Sequence, residues 1–197
     1  MIDLSPYNAL IFDMDGTLID SMPAHLDAWE VTCKHFGYAV DREFIHALGG
    51  VPSVTTASML NDKFGLNHKP EEVAQHKIDT WESLGRLPDL IELTTAIVRE
   101  HRGLKPMAIG TGSRRDHALE MLKHVDILDY FDAVVACTDV EKGKPHPETF
   151  LTAAKHLGVP PSECVVFEDT QIGLQAAHAA GMDCVLIDGD RLTLYPR

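Results

Sequence analysis

The sequence predicts an α/β protein: a Rossmann-like sheet of parallel strands, with an all-helical cap domain inserted after the first strand. Three observations predict it. Five short runs rich in Val, Ile and other apolar residues recur at 9–13, 107–111, 133–137, 164–169 and 184–188. Nearly continuous apolar runs of this length suit strands covered on both faces. Helical patterns separate the later runs, and alternation of strand and helix implies a parallel sheet with right-handed crossovers. The gap between the first and second runs is too long for one crossover, and residues 19–86 read as helices with short breaks.

In chain order, the first run is ALIFD and stops on a carboxylate, Asp13, with Asp15 two residues on. The insert then offers four helical stretches, 23–37, 41–50, 53–65 and 70–85, with Gly37, Gly49–Gly50, Gly65 and Gly85 where helices should stop. Later helices are expected over 114–125, 146–158 and 171–182. The tail after Asp188 carries no predicted element. Residues 1–18 and 87–197 thus form the expected α/β core, and 19–86 the helical cap. An insert at that point stands over the carboxyl ends of the strands, where ligands of such sheets bind.

The chain has 197 residues, enough for one core domain and a small insert. Apolar content is 45% and charged content 24%, as in a globular protein. A formal charge of −13 argues against a nucleic-acid binder, which needs a basic face. It still permits a small anionic substrate at a locally positive site. The N-terminus has neither a basic region nor a long apolar one, and no window of about 18 apolar residues exists for a membrane span. Cys33, Cys137, Cys164 and Cys184 form no C-x-x-C pair, so a zinc site is not expected. They read as reduced thiols in a cytoplasmic protein.

The strand ends carry the chemistry. The first gives Asp13 and Asp15. The second gives Thr111, Gly112 and Ser113. Glu141-Lys142-Gly143-Lys144-Pro145 follows the third, and Glu168 and Asp169 end the fourth. Any one of these could be a turn former or a helix cap. Together, at one edge of the sheet, they point to a site. Side chains i and i+2 of a strand share a face, so the Asp-x-Asp spacing is expected to turn both carboxylates toward one pocket.

Four motifs in this order resemble the haloacid dehalogenase-type phosphatases. They are Asp13-Met14-Asp15-Gly16-Thr17, Thr111 after the second strand, Lys144 in KPHPETF, and the acidic pair opening FEDTQIGLQAAHAAGM. The nearer relatives are β-phosphoglucomutases and small sugar-phosphate phosphatases. The resemblance covers nearly the whole chain. It implies Mg²⁺ held by Asp13, Asp15, Glu168 and Asp169, with Asp15 contributing its carbonyl oxygen and Glu168 acting either directly or through water. It implies that Asp13 is the nucleophile, forming an aspartyl-phosphate, and that Asp15 is the acid and base. Thr111, Lys144 and the backbone at Gly112 and Ser113 would hold the phosphoryl oxygens.

In the cap, His25 and Lys77 match residues that lie near the transferring group in β-phosphoglucomutase relatives, and both are candidate substrate-binding residues. A surface His and a solvated Lys are the simpler alternatives, and Trp29 reads as core packing. Arg114 and Arg115 could assist the phosphate or form a surface pair at a helix start. One departure bears on function. Mutases carry an Arg in the cap loop that grips a second phosphate, and here ALGGVPSVTT has Ser53 at the matching position. The expected function is therefore Mg²⁺-dependent hydrolysis of a small sugar phosphate, such as fructose 1-phosphate, by a monomer without nucleic-acid or membrane partners. β-Phosphoglucomutase activity is the alternative, and a non-catalytic binding module is the alternative from another class.

Overall fold

The computed structural model describes residues 2–85 and 88–197. A six-stranded sheet runs in the order β3-β2-β1-β4-β5-β6. Its strands are β1 (Ala9–Phe12), β2 (Met107–Gly110), β3 (Ala133–Val135), β4 (Cys164–Glu168), β5 (Asp183–Asp188) and β6 (Arg191–Tyr195). The first five are parallel, as expected, and β1 lies between β2 and β4. The strand order reverses at β1, so the loop after it opens at a topological switch point, the usual ligand site of such sheets.

The tail after Asp188 corrects the sequence expectation. It folds as β6, antiparallel to β5 across the two-residue connection Gly189–Asp190. Two residues are the usual length of a tight hairpin. β6 is half exposed at the sheet edge, so it lacks the unbroken apolar run that marked the other five strands.

Alternate residues of β1 feed two cores. Leu10 and Phe12 join Met107, Ile109, Val165 and Phe167 on one face, under α5 (Glu92–His101) and α6 (Arg115–His124). Ala9 and Ile11 join Ala108, Val166 and Cys184 on the other, under α7 (Glu148–Leu157) and α8 (Gln171–Ala179). Phe12 stacks on Phe167 with ring centroids 4.5 Å apart. Burying each such side chain contributes roughly 1.5–3 kcal/mol. Small residues Ala153, Ala154, Ala176 and Ala177 let α7 and α8 approach the sheet closely.

Between β1 and α5 lie α1 (Met22–Phe36), α2 (Arg42–Ala47), α3 (Ser53–Phe64) and α4 (Pro70–Leu84). They match the four expected stretches. Three end at the expected Gly37, Gly65 and Gly85, and α2 stops just before Gly49. Trp29, Cys33, Tyr38, Ile45, Leu60 and Val73 form a core of their own for this insert. The expected return boundary at 86/87 lies outside the described residues. All four cysteines are free thiols. Among the described residues, no helix is long and apolar enough to cross a membrane.

Candidate active site

The turn after β1 places the first two carboxylates. The strand ends at Phe12, and Asp13 and Asp15 both lie beyond it. Strand alternation therefore does not aim Asp15; a turn does. The N–H groups of Leu18 and Ile19 both donate to the Met14 carbonyl, and the Gly16 N–H donates to the Ile19 carbonyl. Gly16 sits at φ +86°, and a methyl group there would fall 2.3 Å from the Asp169 carboxylate. Only glycine suits this position.

Asp13 is buried at the metal end of the site. Its Oδ1 accepts from Lys144 Nζ at 2.6 Å, and the same ammonium donates to Glu168 Oε1 at 2.7 Å. Glu168 Oε2 accepts from the N–H and the hydroxyl of Thr170, each at 2.8 Å. The Thr170 hydroxyl accepts in turn from the Gly173 N–H and caps α8. Asp169 accepts from the Thr17 hydroxyl at 3.2 Å. The other oxygen of Asp13, Oδ2, is buried and has no partner.

Oxygens of Asp13, Glu168 and Asp169 lie within 4.8 Å of one another. Burial raises the Asp13 carboxyl well above its ordinary value; Lys144 opposes the shift, while Glu168 and Asp169 add to it. Burial and Glu168 push Asp169 up to about 7. Burial works against the charge on Lys144, but Asp13 and Glu168 outweigh it and raise its pKa. One ammonium cannot neutralise three crowded carboxylates. An all-oxygen donor set with an unpartnered buried oxygen fits a hard divalent cation such as Mg²⁺. Both oxygens of Glu168 are already engaged, which leaves Asp13 and Asp169 as the open donors.

Asp15 faces the cavity end. Its Oδ1 accepts from the Ser21 hydroxyl at 2.6 Å and from His25 Nε2 at 3.2 Å, and its Oδ2 accepts from the Ser113 hydroxyl at 2.7 Å. Lys77 Nζ lies 2.8 Å from His25 Nδ1. An ammonium only donates, so Nδ1 accepts and the ring proton sits on Nε2, facing Asp15. Burial and the nearby Lys77 push His25 down to about 4, and burial pushes Lys77 down to about 8. Burial alone would raise Asp15, yet the bonds from His25 and Ser21 outweigh it and hold Asp15 below its ordinary value. At neutral pH the chain reads Lys77 ammonium, neutral imidazole, Asp15 carboxylate. Oxygen and nitrogen atoms of Asp15, His25 and His117 also lie within 4.8 Å of one another. Both nitrogens of His25 are occupied, so His25 has no free nitrogen to offer a metal there.

Thr111 and the segment after it complete the site. The Thr111 oxygen accepts from the Ser113 N–H at 3.0 Å, which leaves its own O–H to donate. The N–H of Ser113, one expected phosphoryl donor, is thereby taken. Those of Asp15 and Gly112 donate to no acceptor among the described residues. The loop after α2 covers this end: a methyl on Gly112 would lie 2.1 Å from the Gly50 carbonyl oxygen. A cavity of about 920 Å³ extends from Asp15, His25 and Lys77 between the inserted helices and α6.

All the sequence-predicted residues thus gather at one end of the sheet. Trp29 packs in the core of the insert, and it also lines the cavity. Arg114 pairs with Asp116 and Arg115 with Asp139, both on the surface. Sequence reasoning missed Ser21, Thr170, Trp81 and His117. Ser21 closes the same DGTLIDS stretch as Asp15, and Thr170 follows the acidic pair directly, which were available signals. Trp81 and His117 had none, since they lie 36 residues apart on different helices.

This fold and this carboxylate–lysine site define a known class. The family model for haloacid dehalogenase-like hydrolases matches residues 10–187, and the chain belongs to that family. It is 41% identical to fructose-1-phosphate phosphatase YqaB of Escherichia coli K12, over 91% of this chain and 95% of that one. It is 30% identical to β-phosphoglucomutase of Bacillus subtilis 168, over 90% and 81% of the two chains. A β-phosphoglucomutase crystal structure from Clostridium difficile superposes with a TM-score of 0.81 at 25% identity, covering 93% of this chain and 85% of that one.

Proposed function

We propose that the chain is a Mg²⁺-dependent phosphatase that hydrolyses a small sugar phosphate, with fructose 1-phosphate as the first candidate, through an aspartyl-phosphate on Asp13. The observation that carries this reading is the buried, unpartnered Oδ2 of Asp13 beside Asp169 and the Lys144–Glu168 pair. A carboxylate oxygen kept free of protein donors is open to a cation and to phosphorus. Asp13, Asp169 and the Asp15 carbonyl oxygen would hold Mg²⁺, with Glu168 fixing Lys144 from behind. Bound there, the ion supplies the positive charge that lets a phosphate dianion approach carboxylates.

Asp13 attacks phosphorus in line with the leaving oxygen. Lys144, Thr111 and the Asp15 and Gly112 N–H groups hold the phosphoryl oxygens. Asp15 gives a proton to the leaving alcohol and then takes one from the water that opens the acyl phosphate. Its resting state suits the second task, since His25, Ser21 and Ser113 hold it as a carboxylate. A phosphate dianion beside it raises its proton affinity and prepares the first task. The bond from His25 keeps the carboxylate oriented in both. The inserted helices (19–86 by our boundaries) act as the cap that must lift to admit substrate.

Hydrolysis is favoured over mutase chemistry by the far side of the cavity. A mutase needs a second phosphate site. Pro52 and Ser53 stand in the cap loop, and Glu71, Glu82, Asp116 and Glu120 line the same cavity. Lineage supports the same choice through the fructose-1-phosphate phosphatase relative. The test is phosphate release from a panel including fructose 1-phosphate and β-glucose 1-phosphate, with Mg²⁺ and with EDTA. Release should need Mg²⁺ and vanish in Asp13→Asn, whose far-ultraviolet spectrum should match the parent. Isomerisation of β-glucose 1-phosphate on adding a bisphosphate, without release, would instead establish the mutase.

A further inference from the structure

Of the open donors at the metal end, Asp169 owes least to its own element. β4 ends at Glu168 and α8 begins at Gln171, so Asp169 lies in the loop between them. Its Oδ1 accepts from the Thr17 hydroxyl at 3.2 Å, and no other side chain among the described residues donates to it. Mg²⁺ demands near-ideal octahedral geometry, so a carboxylate free to turn would hold it poorly. Thr17 is fully buried, in the turn where the chain leaves β1 for the cap.

Thr17 is itself anchored from behind. Its carbonyl accepts from the hydroxyl of Thr94, a buried side chain in the first turn of α5, and from no backbone N–H among the described residues. The same hydroxyl lies 3.2 Å from the Ile91 carbonyl. Thr17 opens the path into the cap, and Ile91 closes the path back. Just beyond them the two paths pair: the Asp20 N–H donates to the Asp89 carbonyl at 2.9 Å, and the Ile91 N–H to the Leu18 carbonyl at 2.8 Å. One core side chain thus holds both legs of the hinge at their base. A pinned carbonyl fixes its whole peptide plane, so the torsions that swing the cap fall beyond the 17–18 peptide.

We infer that Thr94 is a positioning residue: it pins the pivot of the cap at Thr17, and so keeps Asp169 in place for Mg²⁺ while the cap opens and closes. The inference rests on the metal site and the cap of the reading above and extends that reading to the hinge. Thr94 touches none of the reacting groups. Its structural alternative is a plain role in the first turn of α5, through Ile91 alone.

The test is calorimetry of Mg²⁺ binding to the full chain without substrate, with phosphate release from the sugar-phosphate panel measured beside it. Thr17→Val and Thr94→Val keep the shape and remove the hydroxyl, and Thr17→Ser and Thr94→Ser keep the hydroxyl. Partners that orient metal ligands commonly govern about 10–100-fold in metal affinity. The Kd for Mg²⁺ should therefore rise roughly tenfold or more in each valine variant and stay near the parent's in each serine variant. Thr94→Ala, which leaves more room than valine, should show the same loss. Thr94 acts through Thr17, so the double valine variant should bind no more weakly than Thr17→Val alone. A Thr94→Val chain that melts lower yet binds Mg²⁺ as the parent does would assign Thr94 to α5 and overturn the inference. Losses that multiply in the double variant would overturn it too. A parent that binds no Mg²⁺ overturns both the inference and the metal-dependent reading. The expected pattern of Kd in a chain that releases no phosphate upholds the inference and overturns the phosphatase alone.

Discussion

Lys144 is where single-residue energetics are most exposed. It is fully buried and bonded to two carboxylates that would otherwise be unpaired. Removing one partner of a buried ion pair is costly because it strands the other charge. Lys144→Met should therefore destabilise the chain by about 3 kcal/mol or more, read as a lower urea midpoint. A midpoint equal to the parent's would show that Asp13 and Glu168 do not depend on this ammonium. The Lys in KPHPETF and the acids in FED were legible in the sequence, because each belongs to a motif. That Glu168 serves Lys144 was not, because a hydrogen-bond partner 24 residues away leaves no local trace. Trp81 and His117 were hidden for the same reason: a polar side chain on a helix looks alike whether it faces solvent or a cavity.

Among the elements, strands and helices were legible where their pattern is unbroken. Apolar runs gave β1 to β5, and helical spacing with terminal glycines gave α1 to α4. β6 escaped because an exposed edge strand has no buried run to mark it. The Asp13–Asp15 geometry departs from the expectation: a tight turn and not strand alternation sets it, with Asp13 at the metal end and Asp15 on the cavity. The contact between two loops is of the same kind. The Gly50 carbonyl rests against Gly112, so the loop after α2 meets the segment after β2 with no room for a methyl group. Neither loop is part of a core cluster, so the cost of filling that gap falls on closure. Gly112→Ala should leave the melting temperature within a few degrees of the parent and lower kcat/KM on the order of 100-fold, as small misplacements of catalytic parts do. A Gly112→Ala chain with parental kcat/KM would show that this approach is dispensable.

At the scale of the molecule, an acidic chain concentrates buried carboxylates at one end of its sheet, and two opposed pH dependences follow. His25 has a folded pKa near 4, below its unfolded value of 6.5. Its contribution is present above 6.5 and is lost as pH falls toward 4, since the unfolded chain takes up the proton first. That loss amounts to about 3 kcal/mol over the interval. Asp169 is shifted the other way, from 3.8 to about 7. Its contribution is present below 3.8 and is lost as pH rises through about 7, because the folded chain resists ionising it. In EDTA His25 opposes Asp169, but Asp13 is shifted up as well, so the melting temperature should fall from pH 4 to pH 7. Mg²⁺ binds only the ionised carboxylates, so it should remove the Asp169 loss and expose the rise due to His25. At a hundredfold excess over its dissociation constant the ion adds about 2.7 kcal/mol. For a chain of this size that is roughly 5–10 °C, with the gain growing from pH 5 to pH 7. Asp169→Asn should abolish most of the Mg²⁺ gain and flatten the EDTA profile, since Asp13 and His25 then oppose one another. A gain from Mg²⁺ that stays the same at pH 5 and pH 7, or that survives in Asp169→Asn, would place the ion away from these carboxylates.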